Sequence, residues 1–175
     1  MTCSRCRAEF CWLCLSPLRH HDEPHTCNRF EPQHGARNER ERRAVFFTDR
    51  YSAHSEALKY ILEIKTNGTR DSLFHRAPDL WELALKTLVE ARLFLKNSYV
   101  AAWAMEEDSH KRKVFEGYQG NLEMFTEKLS RMVVQKVTWD QGNFFRAVEF
   151  STQSILKYIA RILALAEGES SEGEL

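Results

Sequence analysis

The residues best suited to chemistry lie together near the start of the chain, because all five cysteines fall within the first 27 residues. Two Cys-x-x-Cys pairs come first, and histidines and a last cysteine follow them. In order, these residues are Cys3, Cys6, Cys11, Cys14, His20, His21, His25 and Cys27. Zn²⁺ takes thiolate and imidazole ligands in a tetrahedron, and one Cys-x-x-Cys turn presents two sulfurs to one metal ion. This pattern predicts zinc as the cofactor.

Disulfide bonds are the alternative use of closely spaced cysteines, as in small secreted proteins. The odd number of cysteines, the histidines beside them and the lack of cysteine in the rest of the chain favour reduced, metal-bound thiols. Two complete tetrahedral sites need more ligands than this segment offers, since only about six of its residues are good ligand candidates. We therefore expect the missing ligands to precede residue 1.

The composition argues against several classes of partner. The 175 residues carry 25 Lys and Arg against 25 Asp and Glu, so the formal net charge is zero. A balanced chain has no overall field that attracts nucleic acid or an anionic membrane surface. No apolar run approaches the roughly 18–20 residues of a membrane-spanning helix, and no secretory signal opens the sequence. We therefore expect neither a nucleic acid nor a membrane as the partner.

The sequence divides into three parts. Residues 1–30 hold the Cys/His cluster and have little apolar content beyond Phe10 and Trp12, so this module is expected to fold on its metal. Residues 31–166 are predicted to be helical. Residues 167–175 are rich in Gly, Ser and Glu and are predicted to form a disordered acidic tail.

Four amphipathic segments with short connections predict a mainly α fold, an antiparallel helical bundle preceded by the small zinc-binding module. The third segment has the most regular apolar stripe, with spacings that alternate between three and four residues. Its members are Phe115, Tyr118, Leu122, Phe125, Leu129 and Met132. The fourth segment follows Gly142, and its apolar stripe begins at Phe145.

The first two helices are less regular in sequence. The first is expected to reach about residue 65, before an Asn-Gly turn at Asn67. Its apolar positions at helical intervals are Val45 and Phe46, Tyr51, Leu58, and Ile61 and Leu62. The second is expected to start near Pro78, with Asp79 as its N-cap.

The residue identities within the cluster narrow its interpretation. The string Glu9-Phe10-Cys11-Trp12-Leu13-Cys14 resembles the end of the catalytic second RING of RING-between-RING ubiquitin ligases. Cys27-Asn28-Arg29-Phe30 is similar to the Cys-Asn-Arg-Tyr that closes this module in the Ariadne subfamily. Shorter strings in the helical part, such as those around Ser98-Tyr99 and Phe115-Glu116, look like the Ariadne helical domain and fall in the same order. The resemblance covers nearly the whole chain.

The resemblance implies a zinc ligand for each cysteine. It makes Cys3 and Cys6 the last two ligands of the module's first zinc. The second zinc has its full set in the family pattern, and the matching residues are Cys11, Cys14, His21 and Cys27. His20 remains an alternative to His21, because the loop to Cys27 is one residue shorter than the family spacing. His25 is left as a solvated loop residue, since the tetrahedron is already filled.

The resemblance also implies that the catalytic residues lie outside this chain. In these ligases a cysteine thiolate accepts ubiquitin as a thioester, with a histidine as base. Both would precede Met1, and we assign no nucleophile among residues 1–175. Cys3 and Cys6 are poor substitutes, because metal coordination would occupy their lone pairs. The expectation is a fragment of a longer protein, or a reading frame started at an internal Met.

Regulation is the role that the resemblance implies for the helical part. In the Ariadne subfamily this domain packs over the second RING and masks the catalytic cysteine. The residues of that contact match Tyr60 on the first helix and Glu116 and Glu127 on the third. The two glutamates are 11 residues apart, about three turns, so they share a helix face. The alternative is that both are solvated surface carboxylates.

The function expected from this resemblance is ubiquitin transfer by a RING-between-RING ligase of which this chain is the C-terminal part. The implied partners are a ubiquitin-conjugating enzyme and ubiquitin, with a neddylated cullin as a further candidate. The implied location is the cytoplasm, with the nucleus as a second option. The alternative function is a non-catalytic zinc-binding module that binds another protein, or a nucleic acid through its finger.

Overall fold

The protein is described here from a computed structural model that covers residues 17, 29–30, 38–67, 74–106, 109–134 and 141–168. The predicted zinc ligands lie outside these residues: Cys3, Cys6, Cys11, Cys14, His21 and Cys27. The acidic tail beyond residue 168 lies outside them as well. The predicted module boundary at residue 30 therefore stays a prediction.

Four long helices make up most of the described chain. They are α1 (Glu39–Asn67), α2 (Pro78–Ala104), α3 (His110–Val134) and α4 (Gln141–Glu167), with a short 3-10 helix at Phe74–Arg76 between α1 and α2. The prediction of a mainly α fold is confirmed for this part of the chain. α1 ends at Asn67, where the Asn-Gly pair was expected to stop it.

The start of α2 differs from the sequence prediction. Pro78 opens the helix, where its fixed φ suits the first turn and its missing N–H is not needed. The N-cap is Ala77, and no side chain caps the helix. Asp79 as the N-cap is therefore wrong, because Asp79 already lies in the first turn. A carboxylate there still interacts favourably with the positive end of the helix dipole.

Neighbouring helices run antiparallel. Along each pair of packed helices, residues of increasing number on the first helix contact residues of decreasing number on the second. The contacting pairs are Arg43–Trp103, Phe47–Tyr99 and His54–Arg92 for α1 and α2, Ser98–Gln119 and Arg92–Glu127 for α2 and α3, and Tyr118–Tyr158 and Phe125–Phe150 for α3 and α4. The predicted helical bundle is confirmed by this arrangement.

The second helix is the centre of the bundle. Within the described ranges, α2 packs against α1, α3, α4 and the 3-10 helix, whereas the backbone of α1 closely approaches that of α2 alone. Phe74 fixes the 3-10 helix, because its ring lies 4.8 Å from Trp81 of α2 and 5.1 Å from Phe144 of α4. The predicted stripe of α3 is confirmed: Phe115, Leu122, Leu129 and Met132 are buried, and Tyr118 and Phe125 are partly buried against the core.

The buried face of α1 differs in part from the prediction, and that of α4 begins one residue earlier. Ile61 is buried as predicted, but Val45 and Tyr51 are exposed, and α1 also buries Phe47, Arg50 and His54. The prediction failed at Arg50 and His54 because both are polar, so apolar periodicity does not reveal them. On α4, Phe144 is fully buried, whereas Phe145 only packs at the edge of the core.

No helix within the described ranges is both long enough and apolar enough to cross a bilayer.

The buried apolar stripe of α3 predicts a large effect for one core truncation. Leu122→Ala removes a fully buried side chain, and we expect it to lower the free energy of unfolding by about 2–5 kcal/mol. The matched control is Leu83→Ala on α2, because Leu83 is 44% exposed. The control should change the free energy by about 0.5 kcal/mol or less. Denaturant unfolding measures both, and equal losses for the two variants would contradict the packing described here.

Candidate functional site

The described residues of the helical part contain no cluster of side chains suited to bind a metal ion. Across the described residues, no group of three or more His, Cys, Asp or Glu side chains is arranged to hold a metal ion. The Cys/His cluster therefore remains the candidate metal site on sequence grounds alone, and it lies outside the described residues.

The helical domain is joined to the Cys/His cluster by a pair of residues that the structure does describe. Arg29 and Phe30 follow Cys27 almost directly. The Phe30 ring is buried, with its centroid 5.6 Å from that of Phe46 in an edge-on contact. The guanidinium of Arg42 lies 5.9 Å from the centre of the same ring. Phe30 therefore anchors the end of the Cys/His segment in the core beside α1.

Arg29 lies against α3. Its Nε is 4.0 Å from Oε2 of Glu116, the outer limit of an ion pair. A Cβ added at Gly117 would lie 3.8 Å from Nη2 of Arg29, so the guanidinium rests close over the backbone of α3. Because 39% of the Arg29 side chain is exposed, solvent weakens this pair. Its importance is its position, two residues beyond Cys27, the last predicted zinc ligand.

Glu116 is held inside the bundle. Its Oε1 accepts a hydrogen bond of 2.8 Å from Nε of Arg112, one turn earlier on α3. Glu116 and Arg112 are only 6% and 3% exposed. The guanidinium of Arg112 also lies 5.8 Å from the Phe47 ring on α1. The solvated-surface alternative is therefore wrong for Glu116, whose charge is compensated by arginine.

Glu127 has a similar arrangement nearer to solvent. Its Oε1 accepts a hydrogen bond of 2.5 Å from Nη1 of Arg92. The Glu127 side chain is 22% exposed, whereas that of Arg92 is 3% exposed. Both glutamates predicted to act in regulation are thus paired with arginines of the same domain, although they lie three turns apart on α3.

Tyr60, the third predicted contact residue, lies on the outside of α1. It is 49% exposed. Within the described residues, no hydrogen bond or ring contact links Tyr60 to Glu116 or Glu127. The structure therefore places the three predicted residues on two helices without bringing their side chains together, and their regulatory role stays a prediction.

A buried polar network lies beside Glu127. Nε2 of His54 is 3.0 Å from Oε1 of Glu123, and Nδ1 of His54 is 3.3 Å from Nη1 of Arg92. Tyr99 donates its hydroxyl to the same oxygen of Glu123 over 2.5 Å and stacks on the His54 ring at 5.7 Å. An arginine cannot accept a hydrogen bond, so Nδ1 accepts and Nε2 carries the proton that Glu123 receives. The neutral Nε2–H tautomer satisfies every one of these contacts.

Sequence reasoning missed this network, although a signal was present. His54 lies midway between Phe47 and Ile61, seven residues from each, and all three are buried. Arg92 lies between Leu88 and Leu95 on the apolar face of α2. A polar residue at a core position needs a buried partner, and that requirement could have drawn attention to both residues.

An apolar cavity of about 570 Å³ opens between α2 and α4. Leu93, Leu156 and Leu163 line it and are 45–48% exposed. In its described lining, Glu90 is the one ionisable side chain. Such a lining suits binding of an apolar surface rather than acid–base chemistry.

Comparisons with known proteins find relatives by sequence. No protein-family model matches the chain. The chain is 34% identical over 151 residues to the E3 ubiquitin-protein ligase ari-1.1 of Caenorhabditis elegans, covering 74% of this chain and 30% of that protein. It is 27% identical over 172 residues to the E3 ubiquitin-protein ligase ARIH2 of Mus musculus, covering 87% of this chain and 34% of the relative.

The name of a third relative mentions ankyrin repeats and an IBR domain. The ankyrin repeat and IBR domain-containing protein 1 of Mus musculus is 30% identical over an alignment of 204 residues, covering 95% of this chain and 19% of that protein. The chain thus spans about a third or less of the length of these curated relatives. The chain is homologous over most of its length to Ariadne-family RING-between-RING E3 ubiquitin ligases.

Proposed function

We propose that this chain is the C-terminal part of a RING-between-RING E3 ubiquitin ligase, and that its helical bundle is an autoinhibitory domain. Ubiquitin transfer belongs to the longer protein, whose cysteine receives ubiquitin from a conjugating enzyme as a thioester. The ligase homologues support the class of activity. The partners proposed are the conjugating enzyme, ubiquitin and a neddylated cullin, in the cytoplasm or the nucleus.

One observation in the structure carries the regulatory part of the proposal. Glu116, on α3, lies beside Arg29, which follows the last predicted zinc ligand, Cys27. Phe30 is packed in the helical core next to that pair. A carboxylate of the bundle therefore lies beside a residue at the end of the predicted Cys/His module, which supports the proposal of an intramolecular lid.

Zinc is the proposed structural cofactor of the Cys/His module. Cys11, Cys14 and Cys27 supply three thiolates and His21 supplies one imidazole, which together are the four donors that a closed tetrahedral site needs. Closed sites of this kind stabilise small modules that have little core of their own. Cys3 and Cys6 provide half of a second site in the proposed arrangement.

The zinc assignment predicts a stoichiometry. The isolated chain should bind about one zinc ion firmly, because Cys3 and Cys6 alone leave half of a coordination sphere to water. Cys14→Ser should abolish firm binding, whereas the matched variant Cys3→Ser should keep it. Metal analysis after dialysis measures the ratio, and circular dichroism should show that the helices survive in both variants. Two firmly bound ions per chain would sink the assignment.

A second prediction concerns catalysis. The isolated chain should form no ubiquitin thioester with a charged conjugating enzyme, because its cysteines are assigned to metal. Non-reducing gels with and without thiol reductant detect such an adduct, and a longer form of the protein that includes the upstream segment is the positive control. A reducible ubiquitin adduct on Cys3 or Cys6 would show that their assignment as zinc ligands is wrong.

The autoinhibitory assignment predicts a gain of activity. In the longer protein, Glu116→Ala combined with Glu127→Ala should raise ubiquitin transfer by roughly tenfold, the change produced by about 1.4 kcal/mol in an open–closed equilibrium. The control is Glu56→Ala on the exposed side of α1, where Glu56 pairs only with exposed Lys59 among the contacts found. Single-turnover discharge of ubiquitin measures the rate.

The same double substitution should also lower stability. Removing Glu116 leaves the buried guanidinium of Arg112 without its carboxylate, and such losses are costly. Thermal unfolding of the variant therefore accompanies the rate measurement, at a temperature where the variant remains folded. Transfer rates equal to those of the unsubstituted protein would remove both glutamates from the autoinhibitory contact.

A further inference from the structure

We propose that Glu127 positions α1, through Arg92 and His54. α1 carries the exposed Tyr60, so this chain of contacts sets the location of that ring as well. The inference concerns the helical domain and can be tested without ubiquitin transfer. A regulatory effect of this positioning, exerted through Tyr60, rests on the proposed function.

The contacts form a continuous chain across three helices. Glu127 of α3 accepts from Nη1 of Arg92, on α2, and the same nitrogen lies 3.3 Å from Nδ1 of His54, on α1. His54 in turn donates to Glu123, one turn before Glu127 on α3. The chain therefore starts and ends on α3 and passes through α1, although the backbones of these two helices do not approach closely within the described ranges.

The geometry makes Arg92 the link whose orientation matters most. One terminal nitrogen faces both Glu127 and His54, so its two N–H bonds are directed to a carboxylate and an imidazole. A planar guanidinium offers such directed donors, which an ammonium group does not. Loss of Glu127 removes a carboxylate that orients this nitrogen, so the hydrogen bond from Arg92 to His54 is weakened.

Because His54 is buried, a weaker hydrogen bond to it should loosen the attachment of α1 substantially. His54 is fully buried, so an imidazole nitrogen that loses its donor cannot recover water in place. Helix α1 buries few large apolar side chains, among them Phe47 and Ile61, so its attachment depends on this polar contact more than that of α4 does. Local loosening of α1 is therefore the expected response, rather than unfolding of the whole bundle.

Glu127, at one end of this series of contacts, is accessible to solvent. Glu127 is 22% exposed, whereas Arg92, Tyr99, His54 and Glu123 are almost completely buried. A docking partner that presents a cationic side chain can compete with Arg92 for the Glu127 carboxylate. The position of α1 then depends on what occupies Glu127, which couples the surface of α3 to the far side of the bundle.

The test is amide hydrogen exchange on the 175-residue chain. Glu127→Ala should increase exchange of amides in residues 47–61 of α1 by about tenfold, the loss expected for one charge-assisted hydrogen bond that is partly exposed. Amides at the centre of α4 should exchange at the original rate. Glu127→Gln keeps an acceptor oxygen in the same place and should recover most of the protection.

Two controls separate a positioning role from general destabilisation. Glu56→Ala removes an exposed carboxylate of α1 outside the network and should leave exchange unchanged. On an Arg92→Lys background, Glu127→Ala should add little, since the link through the guanidinium is already broken. An unchanged α1, an equal increase in all four helices, or fully additive effects of the two substitutions would each overturn the proposal.

Discussion

The burial of charge at the junctions between helices is the constraint on which this structure depends. An ionised side chain inside a protein must be paired and hydrogen-bonded, because desolvation costs several kcal/mol otherwise. The bundle meets that requirement with arginines: Arg112 holds Glu116, and Arg92 holds Glu127. The Arg92–Glu127 pair links α2 to α3 and so helps to fix the rotation of α3, whereas Arg112 and Glu116 both lie on α3 and compensate each other's charge there. Packing and any regulatory contact at these glutamates are therefore inseparable.

Sequence periodicity predicted the parts of the fold that apolar packing determines. The stripe of α3 was correct because Phe115, Leu122 and Leu129 are buried by simple helical spacing. The face of α1 was wrong in part because His54 and Arg50 take buried positions there. The position of His54 seven residues from both Phe47 and Ile61 marks it as a core candidate, but a histidine is stable inside only when a partner satisfies it, here one on another helix. That partner, Glu123, is 69 residues away.

The candidate site likewise has a part that the sequence reveals and a part that only the folded structure reveals. The types and spacing of cysteine and histidine could be interpreted from sequence, because metal coordination demands particular atoms close together in the chain. The surroundings of Glu116 could be interpreted only in part, because Arg112 lies one turn away on the same helix whereas Arg29 contacts Glu116 only after the chain has folded. Resemblance drew attention to Glu116 and Glu127 as surface contacts. The structure adds that both are already paired within the bundle, so a docking module must share them with arginines or displace those arginines.

The central claim is that the bundle and the Cys/His module meet at Arg29 and Glu116. A double-mutant cycle in the longer protein tests it most directly, with Arg29→Met, Glu116→Gln and their combination compared by the rate of ubiquitin transfer. If the two residues form part of one closing interface, either substitution alone should raise the rate, and the second should add little to the first. Fully additive effects, or rates that neither substitution changes, would contradict the account.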